Sequence, residues 1–157
     1  LPHGNYQKLV VEEMKEKPKI GNIVTEDGEV LGKHTGLFNY TIGQRKGLGI
    51  AYKHPLYVIG FNGERNEVIV GPNERLFTNR MICKFYNFLD DTIHKELKAE
   101  GKIRYAANPS PCKARILDDD TMEVVFEEPQ RAITPGQSVV FYNGTQLLGG
   151  AVIDQVC

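Results

Sequence analysis

The residues whose types and spacing come nearest to chemistry are Gly32-Lys33-His34-Thr35-Gly36, followed by Tyr40-Thr41-Ile42-Gly43-Gln44-Arg45-Lys46-Gly47-Leu48-Gly49-Ile50. Glycines around Gln44, Arg45 and Lys46 would let backbone amides and cationic side chains approach a bulky anion closely, as phosphate-binding loops do. The same glycines would also shape bends in a tight barrel, and residue types alone leave both readings open. Elsewhere the sequence holds no G-x-x-x-x-G-K-[ST], no G-x-G-x-x-G after a strand and no His-x-x-x-His. His3, His34, His54 and His94 lack metal-ligand spacing and read as exposed or structural, so no metal is expected. Cys112, between Pro111 and Lys113, is either a thiolate lowered by neighbouring cations or the small first apolar residue of a strand; the strand reading is preferred. Asn39-Tyr40-Thr41 and Asn143-Gly144-Thr145 match a glycosylation pattern that has no meaning in a cytosolic chain.

Charge narrows the class of partner. The 157 residues carry a net charge of −1, yet Val30 to Gly63 holds no acid beside Lys33, Arg45, Lys46 and Lys53. Gly101 to Leu117 is a second acid-free block, with Lys102, Arg104, Lys113 and Arg115. Carboxylates gather instead at Asp118, Asp119, Asp120, Glu123, Glu127 and Glu128, so the surface should be electrically two-sided. Solvated loops with no partner would give the same pattern. A composition of 41% hydrophobic and 25% charged residues excludes disorder and collagen-like order. Apolar runs such as Val139-Val140-Phe141 are too short to span a bilayer, and the first residues lack the features of a secretory signal. Cys83, Cys112 and Cys157 form neither a disulfide framework nor a zinc site, so a reducing cytoplasm is the expected compartment.

The elements that must position these residues are mostly strands. Leu9, Val10 and Met14 lie at helical spacing within Tyr6 to Lys17, and Pro18 ends that short helix. Thereafter short apolar runs alternate with Gly, Asn and Asp. Ile23–Thr25 and Glu29–Leu31 flank Asp27-Gly28, and Leu56–Phe61 and Glu67–Val70 flank a looser turn. Further strands are expected at Met81–Phe85, Lys102–Tyr105, Cys112–Leu117, Met122–Phe126, Ser138–Tyr142 and Leu147–Ile153. Closely spaced strands with so little helix predict a mainly β chain of two small antiparallel β-barrel-like domains with a short N-terminal helix. The expected divisions are 1–20 as helix and linker, 21–75 as a central β-rich domain and 76–157 as a C-terminal β-barrel. Pro135 and Gly136 predict a type II turn, with positive φ at Gly136, that aims Gln137 outward.

Gly-Lys-His-Thr-Gly, Tyr-Thr-Ile-Gly-Gln-Arg-Lys-Gly-Leu-Gly-Ile, Pro55-Leu56-Tyr57-Val58-Ile59, Lys102-Ile103-Arg104-Tyr105, Ala132 to Tyr142 and Leu148-Gly149-Gly150 together resemble the tRNA-specific 2-thiouridylases. That family thiolates the wobble uridine 34. The matching motifs run in family order over about Gly21 to Ile153. The resemblance implies that an N-terminal domain carrying Ser-Gly-Gly-Val-Asp-Ser binds ATP and supplies two catalytic cysteines that relay a persulfide sulfur. Neither feature lies in these residues, so this chain is expected to be inactive alone, without a cofactor or catalytic residue of its own. Cys83, Cys112 and Cys157 do not match the catalytic positions. Implied partners are the anticodon arm of tRNA, the family's catalytic domain and a persulfide sulfur donor. The resemblance assigns tRNA contacts to Arg104, Tyr105 and Gln137; Gln44, Arg45 and Lys46 join them on charge and loop chemistry. Arg104 suits bidentate phosphate binding, Tyr105 an unstacked base, and Gln137 a base edge or 2′-hydroxyl. A structural β-barrel that docks another domain, or a translation-factor-like RNA-binding barrel, stands as the alternative.

Overall fold

The computed structural model describes residues 19–90 and 95–157, so the helix expected over Tyr6 to Lys17 lies outside the described residues, as do His3 and His94. The chain divides between Leu76 and Phe77 into two compact units. In the first unit, β1 (Gly21–Thr25) and β2 (Val30–His34) form a hairpin, followed by β3 (Tyr57–Asn62) and β4 (Glu67–Gly71). The β1–β2 turn closes through the Gly28 amide to the Thr25 carbonyl at 3.0 Å, and Gly28 adopts φ 88, a conformation glycine reaches without steric cost.

The sheet order is β2-β1-β4-β3, and β1 pairs with β4 in parallel. This unit is thus a four-stranded sheet with one parallel pair, where an all-antiparallel barrel was expected. Asn66 accounts for much of the difference. It sits in the left-handed region (φ 54), tolerated by asparagine, and its side-chain amide donates to the carbonyls of Lys19 and Ile20, which lead into β1. A Cβ on Gly21 would collide with the Asn66 carbonyl and His34 Nε2, so β1 can approach this corner only as glycine. Ile23, Leu56, Val58, Val68 and Val70 form the core, joined by Leu48 from the long β2–β3 connection.

The second unit contains β5 (Phe77–Phe88), β6 (Glu96–Lys102), β7 (Ser110–Ile116), β8 (Thr121–Arg131), β9 (Ser138–Asn143) and β10 (Gln146–Val156). They close into a barrel in the order β10-β5-β8-β7-β6-β9, in keeping with a mainly β chain. Alternation places Met122, Val124 and Phe126 of β8 inside, against Cys112 and Ala114 of β7, Met81 and Cys83 of β5, and Phe141 of β9.

Two local expectations change. The strand expected at Lys102–Tyr105 ends at Lys102: Ile103 turns inward to plug the barrel, and Arg104 and Tyr105 are both exposed, which the pleat of a strand forbids for neighbours. β6 was not anticipated, because its inward positions are Leu97, Ala99 and Gly101 and only the first has bulk. Gly101 is nonetheless required, since a Cβ there would stand 3.0 Å from the Phe126 ring and 3.1 Å from Cys112 Sγ.

Candidate nucleic-acid interface

Because neighbouring barrel strands run antiparallel, the β6–β7 and β8–β9 loops lie at one end of the barrel and the β7–β8 turn lies at the other. The first end gathers Lys102, Arg104, Tyr105 and Gln137. Each loop is seated by buried apolar residues, Ile103 in one and Ala132 with Ile133 in the other. The residues beyond these anchors project outward, and Tyr105 is 98% exposed.

Arg104 ties the two loops together. Its Nη2 donates to the Arg131 carbonyl at 2.7 Å and its Nη1 to the Ala132 carbonyl at 3.3 Å. Thr134 Oγ1 donates to the same Ala132 carbonyl at 2.9 Å. These bonds narrow the bidentate phosphate contact expected of Arg104 to one edge of its guanidinium. The Nη1–Nη2 edge holds the protein's own backbone, and only the Nε–Nη2 edge remains to meet a ligand. The Lys102 ammonium stands 5.3 Å from the centroid of the Tyr105 ring, a cation–π pair that sequence reading missed although both residues belong to one motif.

The turn expected at Pro135-Gly136 is present. Gly136 has φ 89, and the Gln137 amide donates to the Thr134 carbonyl at 3.2 Å. The Gly136 amide donates to the Ile153 carbonyl, and the Ile153 amide to the Gln137 carbonyl, both at 2.8 Å, so the turn is fixed to β10 and Gln137 is exposed.

The opposite end is acidic. Asp118 Oδ1 accepts the amides of Asp120 at 2.9 Å and Thr121 at 2.8 Å, and these bonds, the Asp120 amide first, hold its carboxyl below the usual range. Half of the second basic block is neutralised along the barrel wall. Lys113 pairs with Glu96 at 2.8 Å and Arg115 with Glu123 at 3.3 Å. Glu123 lies between Arg115 and Arg80, the latter at 2.7 Å. Among the described residues, Lys102 and Arg104 have no carboxylate partner, so positive charge concentrates beside Tyr105.

The conspicuous glycine-rich segment of the first unit behaves differently. His34 is fully buried, with Nδ1 accepting the Gly36 amide at 3.0 Å and Nε2 donating to the Asn66 carbonyl at 2.7 Å. Both ring nitrogens are satisfied, so its role is structural. Gln44 is likewise engaged in scaffolding: Oε1 accepts the Thr41 amide at 3.0 Å and Nε2 donates to the Lys46 carbonyl at 2.9 Å. The amides of Gly43 and Gln44 serve the Val58 and Thr41 carbonyls, which removes them from any phosphate cradle. Gly43, Gly47 and Gly49 take φ of 91, 81 and 67, so these glycines do shape bends. Arg45 and Lys46 remain exposed.

Cys83 and Cys112 are core residues, and burial pushes both thiols up to about 12, so Cys112 is the apolar strand residue and not a reactive thiolate. Among the described residues, no three His, Cys, Asp or Glu side chains are grouped to hold a metal, and no helix is long and apolar enough to cross a membrane.

Residues 7–72 match the tRNA methyl transferase PRC-barrel domain, and residues 78–153 match the aminomethyltransferase beta-barrel domain. The chain is 45% identical over 157 residues to a tRNA-specific 2-thiouridylase of Clostridium tetani, covering 99% of this chain and 43% of that protein. It is 46% identical over 156 residues to the tRNA-specific 2-thiouridylase of Carboxydothermus hydrogenoformans, with 99% and 43% covered. The enzyme of the same name from Clostridioides difficile is 44% identical over 153 residues, with 97% and 42% covered. The chain thus spans less than half the length of these relatives. By these matches, which together cover most of its residues, the chain belongs to the tRNA-specific 2-thiouridylase family, carrying that family's PRC-barrel and β-barrel domains.

Proposed function

We propose that this chain is the tRNA-holding portion of a cytoplasmic tRNA 2-thiouridylase, and that the barrel end bearing Lys102, Arg104, Tyr105 and Gln137 grips the anticodon arm while the sulfur is delivered from elsewhere. The observation that carries this reading is that, among the described residues, Lys102 and Arg104 have no carboxylate partner and stand beside the exposed Tyr105 ring, on loops seated by Ile103 and Ile133. An exposed tyrosine offers a face to an unstacked base, and stacking contributes about 1–3 kcal/mol per base. Gln137 presents a donor and an acceptor from a fixed turn, which suits a base edge or a 2′-hydroxyl.

On this reading ATP and the persulfide donor are served by a catalytic domain outside these residues. Incubating the chain with ATP, a sulfur donor and unmodified tRNA should then yield no 2-thiouridine; product above a no-protein blank would refute that part. The holding role is tested by filter binding of an anticodon stem-loop at two salt concentrations. Affinity should fall steeply with salt, as it does when phosphate contacts release counterions. A docking barrel without RNA affinity would retain no RNA at either concentration.

A further inference from the structure

The β2–β3 connection of the first unit encloses a groove of about 790 Å³ that the barrel-end reading leaves without a role. Arg45, Tyr52, Lys53 and His54 line it together with the buried Leu48 and Leu56. No acidic residue lines it among the described residues, and none of its three basic side chains has a carboxylate partner there. An aromatic residue orders part of this lining. The Tyr52 ring meets the His54 ring edge-on at 4.9 Å, and the Lys53 ammonium stands 5.8 Å from its centroid. The turn that carries Arg45 is closed by the two hydrogen bonds of the Gln44 amide.

His54 adds a second kind of recognition. A carbonyl oxygen only accepts, so the 3.1 Å contact from Nδ1 to the Pro55 carbonyl makes Nδ1 the donor and leaves Nε2 an acceptor in the neutral ring. Two cations and one acceptor along an open, acid-free groove match a strand whose phosphates alternate with 2′-hydroxyls. An acidic peptide would use the cations and leave the acceptor without a purpose.

We infer that this groove binds a stretch of RNA sugar–phosphate backbone, separate from the nucleotides held by the barrel loops. The inference rests on the tRNA-holding reading and adds a second contact surface to it. The test is tRNA binding by the full chain over a series of salt concentrations, comparing wild type with Arg45→Ala/Lys53→Ala, Tyr105→Ala, and Lys33→Ala as a control for exposed charge outside the groove. The double variant should bind about tenfold more weakly, with a slope of log affinity on log salt flattened by about 1.4, from about 0.7 for each phosphate left unneutralised on a single strand. Lys33→Ala should bind as wild type. If Tyr105→Ala weakens binding while the double variant does not, the groove inference fails and the barrel reading stands. Equal loss from Lys33→Ala and the double variant also overturns the groove. If wild type shows no salt-dependent binding, both readings fall. Melting curves confirm that each variant is folded.

Discussion

The glycine-rich connection of the first unit and the paired loops of the barrel end are both basic and both exposed, yet they use their notable residues in opposite ways. In the first, the residues that stand out by type, His34 and Gln44, are bonded to their own backbone, and the glycines turn the chain so that Leu48 reaches the core. In the second, the seating is done by plain apolar residues, Ile103 and Ile133, while Tyr105 and Gln137 are left facing solvent. A motif dense in unusual residues can therefore be architecture. A ligand surface is better recognised by polar groups whose bonds remain unmade on a backbone that is already fixed.

The comparison breaks most severely at His34. Replacing it with alanine strips partners from the Gly36 amide and the Asn66 carbonyl and opens a cavity, so His34→Ala should destabilise by about 3 kcal/mol, with calorimetric melting as the check. Unchanged melting would mean that the buried imidazole is not the corner's keystone.

Next in size is Gly136→Val. A β-branched residue resists φ 89, so stability should drop by about 1–3 kcal/mol, and tRNA affinity should fall further than Gln137→Ala alone causes. A loss of affinity no greater than that of Gln137→Ala would detach the turn from the site.

Tyr105→Ala should cost about 1–3 kcal/mol of RNA affinity and no melting temperature, because its ring is almost wholly exposed and stands beside the Lys102 ammonium. Arg104→Ala should cost both, since its guanidinium holds two carbonyls; Arg104→Lys should recover only part, because an ammonium cannot span them in one plane. The two glutamines give the most direct contrast. Gln44→Ala should lower melting and Gln137→Ala should lower affinity, and a reversal of those two outcomes would invert the comparison.

The smallest effect at neutral pH lies in the barrel interior. The thiols of Cys83 and Cys112 titrate near 9 in an unfolded chain and at about 12 when folded. Between those values the unfolded state has lost protons that the folded state keeps, so their contribution to stability is complete below pH 9 and is lost as pH rises toward 12. In the native chain at about pH 8, iodoacetamide should label Cys157, which is exposed, and spare the other two.

How much of this was legible in the sequence depended on whether a feature was local. Met122, Val124 and Phe126 recur at every second position in a run rich in β-branched residues, so β8 could be read directly, and Pro135-Gly136 encoded its own turn. β6 was illegible because a small inward residue such as Gly101 is selected by the Phe126 ring opposite, a neighbour in space alone. The parallel pairing of β1 with β4 depends on Asn66 reaching residues 46 and 47 positions away. The staple from Arg104 to the two carbonyls at the end of β8 was hidden for the same reason, and so Arg104 read as a free phosphate binder. Charge blocks located both basic regions but could not show that Lys113 and Arg115 are paired along the barrel wall.

The central claim, that the barrel end of Lys102, Arg104, Tyr105 and Gln137 holds RNA, is tested most directly by titrating the isotope-labelled chain with an anticodon stem-loop and following its backbone amides by NMR. Saturable shifts are expected over residues 102–107 and 132–137, with the acidic turn at 117–120 unmoved. Shifts confined to the acidic end, or absent from both loops at saturating RNA, would contradict it.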